Sequence, residues 1–444
     1  MTLTVTVDTE HRASDGLADI HVLNDTGQSH QLDLPFRDLY RRCGVPSATA
    51  LDLLLTASLC YVIDKTVPRS RAFDGWTRDL TVSLPVSDPQ AWSGVATDLS
   101  ETLAFLTGDS WHLSFFQAPA PLFRAPERVA MSLFDHVDAV SMFSGGLDSL
   151  AGGVDLLAEP GDRRVLFVGH YDGPGPKSVQ AELAGRLAEQ YPGRSQAIHV
   201  RVAHRPELAA EETLRSRSLV FLALGLYAAQ ACGAQVPLYM FENGLIALNI
   251  PLTPSRRGSC STRTMHPYYL NRIRRVVQSL GAANSFSNPY ELKTKGECIV
   301  QCQDSPFLAE IADTSVSCSH SSRRQDWARK QAENCGYCVP CMFRRAAMGK
   351  AGLDAGSQYG IDVLAAELRP EDKLESANDL RALVDFLRTP LTLDRMRGQI
   401  VATALVPDLD AHAALALRGF EEVKEWLYSS RSVTGSRAAS TTNA

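Results

Sequence analysis

Val137-Asp138-Ala139-Val140-Ser141-Met142-Phe143-Ser144-Gly145-Gly146-Leu147-Asp148-Ser149 is an apolar run, a glycine-rich turn and the start of a helix, in that order. Two adjacent glycines let the backbone turn tightly and approach a ligand without a Cβ in the way. The amides exposed at such a turn, with the helix dipole behind them, favour an anion. Ser144 and Ser149 add hydroxyl donors. Asp148 does not attract phosphate; its carboxylate suggests Mg²⁺ bound together with phosphates. The plain alternative is an ordinary strand–turn–helix junction capped by Asp148 or Ser149. Gly173-Pro174-Gly175-Pro176-Lys177-Ser178 lacks the Gly that precedes Lys in a Walker A loop. No GxGxxG follows the first strand, so γ-phosphoryl transfer is disfavoured.

Outward from this turn the chain alternates. Strands are expected at Val137–Phe143, Arg164–Gly169, Ala197–Val202 and Val236–Phe241, and helices at Ser149–Leu157, Ser178–Gln190 and Leu214–Gln230. A βαβαβαβ order implies α/β architecture, a doubly wound parallel sheet with helices on both faces. The glycine turn then lies at the carboxyl end of the first strand, where open α/β sheets bind ligands. Residues 1 to 130 read as a separate α+β domain. Its expected strands are Thr2–Val7, Asp19–Leu23, Leu80–Leu84 and Trp111–Phe116. Its helices are Ser47–Asp64, capped by Ser47, and Ala91–Leu106. Pro119, Pro121 and Pro126 mark a linker over Gln117–Glu127. Residues 131–350 form the α/β domain and 351–428 a helical extension, clearest at Asp379–Leu387 and Ala411–Leu427. The Ser/Thr/Ala-rich end from Ser429 reads as a disordered tail.

At 444 residues the chain is long enough for two to three domains of about 150 residues. Apolar residues at 45% and charged residues at 21% exclude wholesale disorder. Forty-four basic against fifty acidic side chains give a net charge of −6, which argues against bulk nucleic-acid binding. The longest apolar run, Leu219–Ala229, is too short to span a bilayer, and Met1–Glu10 has no signal-peptide pattern. A cytoplasmic chain without membrane contact is expected. Six of the ten cysteines are scattered: Cys43, Cys60, Cys232, Cys260, Cys298 and Cys302. The other four are Cys318, Cys335, Cys338 and Cys341, where two CxxC steps share Cys338. Four thiolates close a tetrahedral Zn²⁺ sphere, so the site should be structural. Free buried thiols or an iron–sulfur cluster are the alternatives.

The Ser144–Ser149 sequence, SGGLDS, resembles the SGGxDS loop of PP-loop ATP pyrophosphatases. In that superfamily the loop holds the pyrophosphate of ATP while a substrate oxygen attacks the α-phosphorus. An SGGxDS loop followed by this four-cysteine spacing further resembles QueC, the 7-cyano-7-deazaguanine synthase family. Arg217-Ser218-Leu219-Val220-Phe221-Leu222 is similar to its RNxxFL helix, with Ser for Asn. Pro289–Glu297 is similar to its P…L.K.E segment, and Arg344 follows the last cysteine as the family's Arg does. The resemblance covers roughly residues 137 to 350. It implies a PP-loop, adenine nucleotide hydrolase-like fold, ATP as substrate with Mg²⁺, zinc, and adenylation of a carboxylated 7-deazapurine or related molecule. The QueC substrate segment is replaced by Glu242-Asn243-Gly244…Leu248-Asn249-Ile250-Pro251-Leu252 and Ser261-Thr262-Arg263-Thr264-Met265-His266-Pro267. This version resembles the QatC-type proteins of bacterial anti-phage operons, and implies a protein partner from the same operon.

Particular roles follow as expectations. Gly145, Gly146 and Leu147 should cradle phosphates with Ser144, Asp148 and Ser149. Glu242 and Asn243, ending the fourth strand, should read the edge of a planar base. Arg217 should hold phosphate, Lys295 phosphate or else a solvated position, Arg263 a carboxylate or the α-phosphate or else a surface salt bridge, and His266 should assist proton transfer or else be a loop histidine before Pro267. His170, with Tyr171 and Asp172, should touch the nucleotide. Neither flank carries a catalytic constellation, so both are expected to recruit an acceptor larger than ammonia. A true ammonia-using QueC and a nucleotide-binding scaffold without turnover remain alternatives.

Overall fold

The computed structural model describes residues 2–10, 17–24, 26–44, 47–118, 121–123, 136–171, 174–204, 211–254 and 263–438. The expectations for Asp172, Ser261, Thr262, most of the proline-rich linker and residues 439–444 lie outside these. In chain order the elements are β1 (Thr2–Glu10), β2 (Asp19–Leu23), β3 (Ser29–Asp33), α1 (Phe36–Cys43), α2 (Ala48–Thr66), β4 (Asp79–Val86), α3 (Pro89–Thr107) and β5 (Ser110–Gln117). Then come β6 (Ala139–Met142), α4 (Leu147–Ala158), β7 (Val165–Tyr171), α5 (Pro174–Gln190), β8 (Ser195–Arg201), β9 (Ala203–His204), α6 (Arg217–Cys232) and β10 (Leu238–Tyr239). The rest are α7 (Gly244–Leu248), α8 (Pro267–Ser279), β11 (Phe286–Ser287), α9 (Lys295–Val300), α10 (Ser305–Ile311), α11 (Val339–Lys350), α12 (Asn378–Arg388), α13 (Leu393–Val401) and α14 (Leu409–Ala438). No helix among the described residues is long and apolar enough to cross a membrane.

The chain divides into two compact units. The first comprises Met1–Ser144, Pro160–Met240 and Cys260–Asn288 and holds both sheets. One sheet runs β5-β4-β1-β2-β3-β9. Its β1, β4 and β5 are parallel, and β2, β3 and β9 join antiparallel. Ser47 caps α2 by accepting from the Ala50 amide, as its sequence indicates. The other sheet is entirely parallel, in the order β11-β10-β6-β7-β8. The order grows from β6 through β7 to β8, then reverses to β10 on the other side of β6. Side chains of successive strand residues point to opposite faces, and this identifies the two helical layers. His199, paired with Gly169, meets Gln180 of α5 at 3.2 Å. The next residue, His170, meets Phe221 of α6 and Tyr61 of α2 edge-on. The doubly wound arrangement expected from the βα alternation is therefore present, with a fifth short strand, β11, that the sequence reading omitted.

The border expected near residue 130 is not where the compact units part. β9, from the α/β part of the chain, pairs with β3 and extends the N-terminal sheet. Asp64 on α2 accepts from the Ser216 hydroxyl at 2.7 Å, just before α6. The second unit comprises Gly145–Glu159, Phe241–Ser259 and Pro289–Ala444. Its apolar core joins Leu245 and Leu248 of α7, Met342 and Phe343 of α11, Leu383 and Phe386 of α12, Met396 of α13, and Phe420 and Val423 of α14. Cys335, Cys338 and Cys341 belong to the same core, so the C-terminal helices are not a separate layer. The final helix also continues past Ser429 to Ala438, where composition alone suggested an unstructured tail.

Candidate functional site

β6 ends at Met142, and Gly145 takes a φ of 80°, the left-handed region that a side chain disfavours. α4 starts at Leu147 with Gly146 as N-cap, so neither Asp148 nor Ser149 caps it. The Gly145 carbonyl accepts from the Val316 amide at 3.0 Å. The segment just before Cys318 thus runs beside the loop. Ser144 is exposed, while Asp148 and Ser149 are buried. The Ser149 hydroxyl donates to the Gly146 carbonyl at 2.9 Å and shapes the turn from inside.

Asp148 is the centre of a buried cluster. Its Oδ1 accepts from Lys295 Nζ at 2.6 Å. Its Oδ2 accepts from the Asn243 side-chain amide at 2.8 Å and from the Asn243 backbone amide at 3.2 Å. Three of the expected site residues therefore meet within the second unit. Both carboxylate oxygens are engaged, and Lys295 already balances the charge; as it stands, the group does not fit a Mg²⁺ ligand. Asn243 is fully buried, and its Oδ1 accepts from the Ile246 amide as the N-cap of α7. Its side chain is consumed by bracing, which corrects the expectation that it reads a base edge. Glu242, beside it, is partly exposed.

A second group lies in the first unit. Arg217 opens α6 and donates from Nε to His170 Nδ1 at 3.0 Å. His170 is fully buried, and its Nε2 lies 3.1 Å from the Val202 carbonyl. That pairing fixes the neutral tautomer with the proton on Nε2, leaving Nδ1 to accept from Arg217. Arg263 donates to the Phe105 carbonyl at 2.6 Å and sits 4.4 Å from that ring's centroid. A cation at the last turn of α3 suits the helix dipole. His266 is buried against Phe105 and accepts from the Tyr268 amide as the N-cap of α8. The polarity of this segment serves capping and helix-end contacts.

The four cysteines converge as expected. Their sulfurs all lie within 4.8 Å of one another, and Cys335 and Cys341 are 3.7 Å apart. A tetrahedron of Zn–S bonds of about 2.3 Å has edges of about 3.8 Å. The amides of His320 and Cys335 point at Cys318 Sγ, and those of Tyr337 and Cys338 at Cys335 Sγ. Hydrogen bonds from Cys335, Cys338 and Cys341 hold Cys318 far below the ordinary thiol range. Gly336 has a φ of 85°, and a Cβ there would lie 2.2 Å from the Ile361 carbonyl oxygen. Only glycine fits inside this CGxC turn. The donor set fits a closed tetrahedral ion, and the group can hold a metal.

Several supporting residues escaped the sequence reading. Asn334 accepts from the Ser317 amide and donates to the Ser315 carbonyl, tying the segment beside the loop to Cys335. Arg344, matched only as a family position, donates to Ser315 Oγ and the Ala312 carbonyl, both at 2.7 Å. Thr294 and Glu297 form a reciprocal capping box at the start of α9. Its T-x-x-E spacing was a visible signal. Glu422 had no such signal, because Thr294 and Gly296, which it holds, lie more than a hundred residues away. No family, curated protein or solved structure matches the chain.

Proposed function

We propose that this chain is an ATP-dependent adenylating ligase of QueC-like, QatC-like type. It activates the carboxylate of a 7-deazapurine or related substrate and transfers the acyl group to an amine of a partner protein, within an anti-phage system. The observation that carries the reading is the SGGLDS turn between β6 and α4, with Asp148 clamped by Lys295 and Asn243. Support comes from the strand order, which reverses at β6, the position where open α/β sheets bind ligands.

The substrate carboxylate oxygen attacks the α-phosphorus of ATP, and the bond to the β-phosphate oxygen breaks. Pyrophosphate leaves, stabilised by the amides of the Gly145–Ser149 turn and the start of α4. Lys295 contributes positive charge that Asp148 keeps at a fixed place. An amine then attacks the acyl carbonyl, AMP departs, and the amine's proton goes to solvent. Mg²⁺, where it accompanies ATP, supplies charge neutralisation of the phosphates. Cys318, Cys335, Cys338 and Cys341 would hold zinc, which would act structurally by closing the segment that runs beside the loop.

The test is to supply purified protein with ATP and 7-carboxy-7-deazaguanine, adding either ammonium or a co-expressed operon partner, and to weigh all products. AMP, pyrophosphate and added mass on the partner are expected. ADP as the main nucleotide product would sink the ligase. Efficient nitrile formation from ammonium, with no protein modified, would restore the plain QueC reading.

A further inference from the structure

The extension that sequence treats as accessory reaches the candidate site through one buried carboxylate. Glu422 lies on α14 and is nearly inaccessible to solvent. Its Oε2 accepts from the Thr294 hydroxyl and its Oε1 from the Gly296 amide, both at 2.9 Å. These groups flank Lys295 at the first turn of α9. The approach is close: a Cβ on Gly296 would lie 2.5 Å from Glu422 Oε2. One turn earlier on α14, Arg418 donates to Glu297 at 2.8 Å and to the Leu292 carbonyl at 3.1 Å. Lys350, at the end of α11, completes the surroundings of Glu422 at 3.1 Å.

An anion at a helix N-terminus satisfies amides that otherwise lack partners. Here that helix begins with the lysine that neutralises Asp148. Fixing the backbone on both sides of Lys295 fixes the point from which its side chain reaches Asp148. We propose that Glu422 is a positioning residue: through Thr294 and Gly296 it sets the place of Lys295, and through Lys295 that of Asp148 in the Gly145–Ser149 turn. The role deepens the ligase reading and depends on it for its catalytic meaning. It assigns the C-terminal helix a part in the site in addition to any recruitment of a partner.

The test compares full-length wild type with Glu422→Gln, Glu422→Ala, Lys295→Met and the Glu422→Gln/Lys295→Met double variant. Melting temperature and zinc content show which variants fold; the isosteric Gln variant covers failure of the Ala variant. Glu422→Gln should lower kcat/KM for AMP formation about ten- to a hundredfold, as misplacement of a charged group does. The double variant should match Lys295→Met alone, because a residue acting through Lys295 has nothing to act on once it is gone. Multiplying effects, or an unchanged kcat/KM in a folded Gln variant, would overturn the proposal. Hydrogen exchange supplies a readout apart from activity: the amides of residues 145–149 and 295–297 should lose protection in Glu422→Gln. If wild type forms no AMP, the ligase reading fails, and unchanged protection at 145–149 would overturn the positioning role separately.

Discussion

Asp148 and His266 show how differently two polar residues with similar sequence credentials are used. Asp148 collects Lys295 and Asn243 in a buried cluster. Removing its charge strands a lysine out of water, and breaking a buried pair costs about 3–5 kcal/mol. Asp148→Asn should therefore lower both the melting temperature and AMP formation, the latter by about a hundredfold or more. An Asn variant that turns over ATP normally would show that the cluster only holds the fold. His266, by contrast, caps α8. His266→Ala should lose a cap, worth about 0.5–2 kcal/mol, and also the packing of the buried ring on Phe105; Asn, another cap former, should restore only the first part. The pH profile of turnover should not change; loss of one limb of that profile would return His266 to proton transfer. For the metal group, Cys338→Ser should abolish zinc retention and sharply lower the melting temperature, since binding energy at a closed site is folding energy. Elemental analysis and calorimetry check this together.

Among the elements, α2 is tied to the head of α6 by a hydrogen bond as well as by packing, and its Asp64 also belongs to a buried ion-pair group. Arg78, fully buried, bonds Asp64 at 2.5 Å and Asp109 at 2.6 Å, and Arg69 bonds Asp109 at 2.8 Å. Asp64 also accepts from Ser216, next to Arg217 at the head of α6. Burial alone would raise the Asp109 carboxyl, but hydrogen bonds and charge from Arg78, then charge from Arg69, hold it below the usual range. A depressed folded pKa contributes stability that is complete above the unfolded value of about 3.9 and is lost as pH falls through the folded value. Acid titration of wild type should thus show a steep loss below about pH 4. Asp109→Asn should be less stable at neutral pH and flatter on the acid side. Equal acid slopes in the two proteins would exclude Asp109 as a source of acid sensitivity.

On the scale of the whole molecule, the C-terminal helices are part of the second unit's core. Phe420 stacks on Phe386 with ring centroids 4.5 Å apart, and Trp426 donates to Asp354 at 3.0 Å. Cutting the chain after Ala404 would expose Met342, Phe343 and Leu383 together with the cysteine group. Such a truncation should lose cooperative melting and zinc retention in the 289–404 region. A truncated protein that binds zinc and melts like the full chain would make the extension a true appendage.

Much of the fold was legible because its signals are local. The apolar runs of β6 to β8, the Ser47 cap, the glycine turn and the cysteine spacing each fix backbone geometry within a few residues. The missed elements are short or polar: β3 (Ser29-His30-Gln31-Leu32-Asp33) pairs with its neighbour β2, whereas β9 and β11 exist because distant strands pair with them. The same division holds at the candidate site. Sequence alone determined a strand–SGGLDS–helix junction and four thiols at metal-binding spacing, because short chain separations hold the turn and the Cys335–Cys341 sulfurs together; the fold brings in Cys318. It could not say that Asn243 would be consumed as a brace, that Arg263 and His266 would serve helix ends, or that Glu422 would stand beside Lys295. Those outcomes rest on contacts between distant parts of the chain: Asn243 and Asp148 are 95 residues apart, Arg263 and Phe105 158, Glu422 and Thr294 128. Only the tertiary structure decides that, since a buried polar group must find a partner wherever the packed chain offers one.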